Sequence, residues 1–345
     1  MTEPAGVAAD ALAMRFAVLG AGAIGAYVGA ALARGGADVR LIARGAHLAA
    51  MRENGVRVLS PRGDFAAHPM ATDDIGAVAG ADVVFVALKA YSLPEVAPRL
   101  GELLKPDAAV VWAQNGIPWW YAATAAIPAA DGRVSLQSVD PGGVIASSIR
   151  PEHNVGCVVY CSTEIVEPGV IRHIEGTRFS IGEPDGAPSR RCELISAAFA
   201  AGGLKAPVDS RLADQIWLKL IGNVAFNPVT ALTRATLGEL ATLPEMVDLL
   251  RAVFAECAAV ADRLGVRFPV SLDRRLQAGL AVGDHKTSML QDLLAGKRLE
   301  LDCMTGAVIE LAGRLGIDVP SVRAIHACAA LLDQLNRQAL AVSSD

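Results

Sequence analysis

The chain has 345 residues, about two domains' worth, and with 52% hydrophobic and 19% charged residues it can bury large cores without disulfides or metal, which excludes disorder as its main state. Thirty-one basic residues against 36 acidic ones give a net charge of −5 with no long basic run, which disfavours non-specific nucleic-acid binding. A mean hydropathy of +0.38 raises the question of a membrane, but the uncharged stretch 16–33, near spanning length, holds four glycines and Tyr27, and only Arg15 lies upstream of it as a positive charge, so a soluble, cytoplasmic chain is expected.

Residues 1–13 are Ala-rich without a usable period and are expected to fray. From Arg15 the pattern changes: a short β run at 15–20, a glycine-opened helix over 20–36 and a second strand at 38–44. A strand–turn region (55–65), a buried strand (81–90), a helix (92–104) and another buried strand (108–116) follow. Strands alternating with helices at this spacing imply βαβ units and a parallel sheet. The stretch 155–182 reads as several short strands with Pro-Gly and Glu-Gly turns, a hairpin-rich end to that sheet. Beyond about residue 190 the periodicity is helical, at 192–203, 214–227, 244–265, 272–280, 288–296 and 304–316, and Gly closes most of these segments. The expected division is a frayed extension (1–13), a Rossmann-like α/β nucleotide domain (14–210) and an all-helical substrate domain (211–338), with the last five residues frayed.

Six cysteines (157, 161, 192, 257, 303 and 328) form no C-x-x-C and have no histidine pair at zinc spacing, so buried, reduced thiols and no metal are expected. Cys157 and Cys161 are four apart in a β-rich stretch, which puts both on one face.

Gly20-Ala21-Gly22-Ala23-Ile24-Gly25 fits G-x-G-x-x-G and lies directly between a strand and a helix, the context the motif needs. The first Gly makes the tight turn and the second lets backbone approach a pyrophosphate. The third lets helix and strand pack, and the helix N-terminus receives the phosphate charge. The second strand ends in Ala43-Arg44 without the acid that would hold a ribose 2′-hydroxyl, and a guanidinium there suits a 2′-phosphate; NADP is expected rather than NAD.

In the helical half, Lys219, Asn223 and Asn227 recur every four residues on one stripe of an otherwise apolar segment. A lysine and two amides in such a helix need polar partners, so they either line a ligand cleft or are a snorkelling lysine beside two satisfied amides. Pro228 is expected to kink or end this helix. Ser288-Met-Leu-Gln291 fits a capping box with Ser288 as N-cap; that helix start is either a carboxylate receiver or a plain cap. Glu300, near Lys297 and Arg298, says little alone. The six histidines are scattered and read as structural or exposed, with only His285 near a proposed site residue.

Taken together, five ordered motifs (GAGAIG, LKAY at 88–91, QNGI at 114–117, WLKLIGNVAFNPVTAL at 217–232 and TSMLQDLLAGKRLELD at 287–302) resemble the ketopantoate reductase family. The resemblance runs from about Arg15 to Leu332 and implies a Rossmann-like NADP domain, a helical domain and an active site in the cleft between them. It implies Lys219 as the general acid and Glu300 as an acidic residue hydrogen-bonding near the hydroxyl and cofactor. Asn223 and Asn227 match substrate-binding amides, Ser288 the hydroxyl at the substrate carboxylate, Lys89 and Asn115 cofactor and cleft residues, and Arg44 the 2′-phosphate arginine. One departure stands out: where some members carry an asparagine just before Gly-Glu-Leu, this chain has Leu237, an apolar residue at the far end of the site.

The expected activity is therefore NADPH-dependent reduction of 2-dehydropantoate to pantoate, a step of pantothenate biosynthesis. An alternative is reduction of another branched 2-oxo acid on the same scaffold. A non-catalytic NADP-binding sensor is a third reading, opposed by the presence of both Lys219 and Glu300. The expected partner is a small 2-oxo acid, with neither nucleic acid nor membrane, and long apolar helices such as 244–265 permit a homodimer through the helical domain.

Overall fold

The computed structural model describes residues 5–342 apart from 126, 128 and 130–133. In chain order the elements are α1 (Ala5–Ala13), β1 (Arg15–Leu19), α2 (Ala23–Arg34), β2 (Asp38–Ile42), α3 (Gly45–Asn54), β3 (Val56–Leu59), β4 (Phe65–Ala67), β5 (Met70–Thr72), β6 (Val83–Val86), α4 (Leu93–Leu103) and β7 (Ala109–Trp112). There follow α5 (Tyr121–Thr124), α6 (Val144–Ser148), β8 (Asn154–Glu167), β9 (Val170–Gly182) and α7 (Arg190–Ala201). The remainder is helical: α8 (Leu212–Thr233), α9 (Leu237–Leu240), α10 (Pro244–Arg263), α11 (Leu272–Leu280), α12 (Ser288–Leu294), a π turn (Asp302–Gly306), α13 (Ala307–Leu315) and α14 (Pro320–Val342). The chain divides into two compact units, Met1–Gln114 with Gly143–Leu212, and Asn115–Gly142 with Ala213–Asp345.

The first unit is built on a nine-stranded sheet in the order β4-β3-β9-β8-β7-β6-β1-β2-β5. From β5 to β8 every neighbouring pair is parallel, and these six strands follow the 3-2-1-4-5-6 order of a dinucleotide fold, with the switch between β1 and β6. Phe16, Val18, Val83, Phe85 and Val111 share one core with side chains of α2 and α7. Residues of the opposite parity, Ala17, Leu19, Val84, Val86, Val110 and Trp112, are buried as well. Both faces are therefore covered, which is why these strands read as continuous apolar runs instead of alternating ones. The stretch 16–33 that approached spanning length is β1 and most of α2, and no helix among the described residues is long and apolar enough to cross a membrane.

Two expectations for this unit need correction. Residues 5–13 are helical: Ala11 is fully buried in the core and Asp10 pairs with Arg190 of α7 at 3.1 Å, so helix-favouring alanines are fixed by packing and not frayed; residues 1–4 lie outside the described ones. The stretch 155–182 is one long hairpin, not several short strands. Its single turn is at Gly169, whereas Gly176 sits at a register irregularity, where φ is +73° and a Cβ would stand 2.3 Å from Tyr160 O. Cys157 and Cys161 both pack on the same core, as their spacing implied.

In the second unit α8 runs through Pro228 to Thr233 instead of ending there. Residues 115–142, expected with the nucleotide domain, belong to the helical unit because their polar groups are satisfied there. Trp217 Nε1 donates to Tyr121 Oη at 2.8 Å, and the Gln137 and Ser138 N–H groups donate to the Glu310 carboxylate at 3.0 and 2.9 Å. The long α14 was not singled out from the sequence; of the five residues expected to fray, Ala341 and Val342 close this helix and the last three lie outside the described residues. Cys328 is exposed, against the expectation of burial, while burial pushes the Cys192 thiol up to about 11.

Candidate active site

In the nucleotide unit, the Gly-rich loop leaves the end of β1 at the switch point. Gly20 has φ +93° and its N–H and that of Ala21 donate to Ile42 O at 3.1 and 2.9 Å, which ties the loop to the end of β2. A Cβ on Gly25 would stand 2.3 Å from Gly20 O, so the loop folds flat on the first turn of α2 only because that position is glycine. Gly22, the N-cap of α2, has nothing within 4 Å of where its Cβ would be. That open backbone, followed by the N-terminal amides of Ala23, Ile24 and Gly25, is the cradle a pyrophosphate requires, and the residues present fit a dinucleotide.

Arg44 follows β2 as the N-cap of α3; it is exposed, and its guanidinium has no hydrogen-bond or ion-pair partner among the described residues. Lys89 follows β6, with Leu88 packed over Gly20, and Gln114 Nε2 pins the end of β6 by donating to Val86 O and Leu88 O at 2.8 and 3.2 Å. His47 on α3, read from the sequence as structural or exposed, holds the hairpin turn at Gly169. Its Nδ1 accepts from Gly169 N–H at 2.9 Å, which puts the ring proton on Nε2. Burial lowers its pKa, opposed by the nearby Ala21 backbone, so the ring is neutral beside the loop.

In the helical unit, Lys219 Nζ donates to Asn115 Oδ1 at 2.8 Å, so two residues 104 apart in sequence meet. Lys219 and Asn223 are half-buried and Asn227 is buried, as their shared stripe on α8 implied. Asn223 makes no side-chain hydrogen bond among the described residues, and Asn227 Nδ2 lies 3.8 Å from Met304 Sδ. Glu300 is buried, two residues before the π turn.

The cap of α12 is Thr287 rather than Ser288, and the expected capping box is absent there. Thr287 Oγ1 accepts from Leu290 N–H at 3.3 Å, while Gln291 Nε2 donates to Lys286 O at 3.0 Å. Thr230 explains the shift by one residue: its hydroxyl donates to Asn227 O at 2.9 Å, so Thr287 Oγ1 donates to Thr230 Oγ1 at 2.6 Å. This buried chain couples α8 to the start of α12 and leaves Ser288 exposed at the first helical position. A true capping box occurs instead at Thr236 and Glu239, which starts α9 at Leu237. Leu237 is itself buried, and its N–H donates to His285 O at 3.1 Å. Thr230 and Thr287 had a faint signal, hydroxyls in apolar surroundings three residues from Asn227 and next to Ser288; Gly116 lies inside the QNGI motif, and Tyr121 had none.

The fold and the two constellations define a dinucleotide-binding α/β oxidoreductase with a helical second domain. The family described as Ketopantoate reductase PanE/ApbA matches residues 16–186, and its C-terminal domain matches residues 211–333. The chain is 41% identical over 315 residues to a 2-dehydropantoate 2-reductase of Mesorhizobium japonicum, which covers 91% of this chain and 96% of that protein. It is 32% identical to the Halobacterium salinarum protein of the same name, covering 90% and 96%. A crystal structure of a PanE/ApbA family ketopantoate reductase from Ralstonia eutropha superposes with a TM-score of 0.81 at 30% identity, covering 94% of this chain and all of that one. The chain belongs to the ketopantoate reductase family and is an oxidoreductase.

Proposed function

We propose that this protein reduces 2-dehydropantoate to pantoate with NADPH, as a cytoplasmic step of pantothenate biosynthesis. The observation that carries the reading is the Lys219–Asn115 pair, an ammonium held at 2.8 Å by a neutral amide. The 41% identity to a protein of that name supports the substrate. Residues 14–210, less 115–142, hold the cofactor and residues 211–338 hold substrate and acid.

NADPH, when bound, supplies the hydride to the ketone carbon. The amides of 20–25 receive its pyrophosphate and Arg44 its 2′-phosphate, with Lys89 further along the cofactor. Asn115 Oδ1 accepts a hydrogen bond from Lys219 Nζ and so orients the ammonium. Lys219 stabilises the negative charge growing on the ketone oxygen and then gives it a proton, leaving an alcohol and a neutral amine that solvent reprotonates. Ser288, at the N-terminus of α12, receives the substrate carboxylate, and Asn223 and Asn227 offer amides to its polar groups. Glu300 accepts from the product hydroxyl. The Leu331 and Leu335 side chains exposed on α14 fit a homodimer through the helical unit.

Leu237 favours a second reading, a different branched 2-oxo acid. It is buried where a polar contact to the substrate's hydroxyl end is expected. The deciding measurement is NADPH oxidation with ketopantoate beside 2-oxoisovalerate and bulkier 2-oxo acids, with NADH as control. A clear lead for ketopantoate in kcat/KM upholds the first reading; a lead for another acid keeps the mechanism and moves the substrate.

A further inference from the structure

The segment joining Glu300 to α13 is the π turn Asp302–Gly306. Leu301 O accepts from Met304 N–H at 3.1 Å and from Gly306 N–H at 3.0 Å, the second bond spanning five residues. This puts the helix ladder one residue out of step. The Ala307 N–H, which an α-helix would give to Cys303, goes to Met304 O. Cys303 O takes the Ile117 N–H instead, at 2.8 Å. Gly116 lies directly on that carbonyl: its φ is +87° and a Cβ would come within 2.2 Å of Cys303 O. The next residue back is Asn115, which holds Lys219. Met304, within the same turn, contacts Asn227, and Cys303 Sγ lies 3.7 Å from Glu300 O.

The turn is secured from inside. Thr305 is fully buried and its hydroxyl donates to Leu301 O at 3.2 Å. The same hydroxyl lies 2.7 Å from His326 Nδ1, so the side chain is held between Leu301 O and the imidazole. Burial lowers the His326 pKa, against the pull of Asp302, which keeps that ring neutral.

We propose that the π turn Asp302–Gly306 is a positioning device for the reduction: its out-of-step Cys303 carbonyl anchors Gly116–Ile117 and so fixes Asn115 against Lys219, with Thr305 as the lock. Thr305 and Gly116 touch no reacting atom and are positioning residues. The proposal rests on the reading of Lys219 as general acid. A π turn is the geometry that supplies a well-directed carbonyl from inside a helix, because an α-helix would have used it.

The test follows the lysine and the rate separately. The chain has six lysines, few enough for lysine-labelled NMR, with the Lys219 side-chain signal assigned from its loss in Lys219→Arg. In Thr305→Val, and in Gly116→Ala where that variant folds, the Ile117 amide should exchange faster and the Lys219 signal should move. Turnover should fall about 100-fold, the scale of a roughly 1 Å misplacement, with the Kd for NADPH unchanged. Thr305→Ser, which keeps the hydroxyl, should restore the signal and most of the rate. A Thr305→Val protein that loses Ile117 protection yet keeps the wild-type Lys219 signal and kcat overturns the proposal. If the wild-type chain reduces no 2-oxo acid, the functional reading fails. The Lys219 signal then decides alone: if it follows the turn, the positioning role stands, and if it does not, that role falls.

Discussion

Lys219→Ala separates chemistry from folding. The side chain leaves a half-buried site where Asn115 Oδ1 loses its 2.8 Å donor. An acceptor stranded in full burial costs about 1–3 kcal/mol, and here water can reach it, so the stability loss belongs at the low end. The rate effect is larger. Removing a positioned general acid costs roughly 10²–10⁴-fold, or about 2.7–5.4 kcal/mol of transition-state stabilisation. The variant should therefore fold, bind NADPH through the other unit with little change, and turn over orders of magnitude more slowly. Single-turnover decay of the reduced nicotinamide signal reads the rate, cofactor titration reads binding, and thermal unfolding reads the fold. Combining it with Asn115→Ala should add little to the loss, because the two side chains act as one unit. Turnover close to wild type would refute Lys219 as the acid; a loss of cofactor binding in step with the rate would refute the division of labour between the units.

Arg44→Ser should weaken NADPH by about tenfold, the low end of what one exposed charge-assisted contact supplies, and leave NADH unchanged; equal losses for both cofactors would count against a 2′-phosphate role. Glu310 carries a pH signature. Burial pushes its pKa up, but the Ser138 and Gln137 N–H groups, the Ser138 hydroxyl and Arg314 outweigh that and hold it below the ordinary 4.5. A carboxyl lowered on folding contributes stability that is complete above its unfolded pKa and is lost as pH falls through its folded one, so wild type and Glu310→Gln should differ in Tm at neutral pH and converge in acid. A constant difference across that range would show that the bonds to 137–138 do not depend on the charge. Among the cysteines, Cys328 should react first with a thiol reagent in the native protein, since Cys192 and Cys257 are buried with raised pKa values; mass mapping that finds Cys192 or Cys257 labelled first would contradict the packing.

What could be read from the sequence was local, and what could not was set by partners distant in it. The Gly20, Gly22 and Gly25 spacing is legible because each glycine answers a demand within its own loop or from the adjoining helix, as the 2.3 Å approach of a Gly25 Cβ to Gly20 O shows. The stripe of Lys219, Asn223 and Asn227 is legible for the same reason, since one helix carries all three. Neighbouring signals failed where a tertiary bond outvoted a local rule. Ser288 and Thr287 are both competent caps, and the choice fell to Thr287 because Thr230, 57 residues earlier, sits 2.6 Å from its hydroxyl. Pro228 weakens a helix, yet α8 continues through it between buried neighbours on both sides. The segment after Gln114 carries a strand-end pattern on one side and an apolar Trp-Trp-Tyr run on the other, and it is distant partners such as Trp217, Lys219, Cys303 and Glu310 that reveal that it joins the helical unit. The π turn is the extreme case. Asp302, Cys303, Thr305 and Gly306 are weak helix formers, but nothing in them asks for a π turn, and the carbonyl it redirects meets an N–H nearly 190 residues earlier. If that donor is what selects the turn, the polar groups around Lys219 are positioned by a bond that neither segment could specify alone.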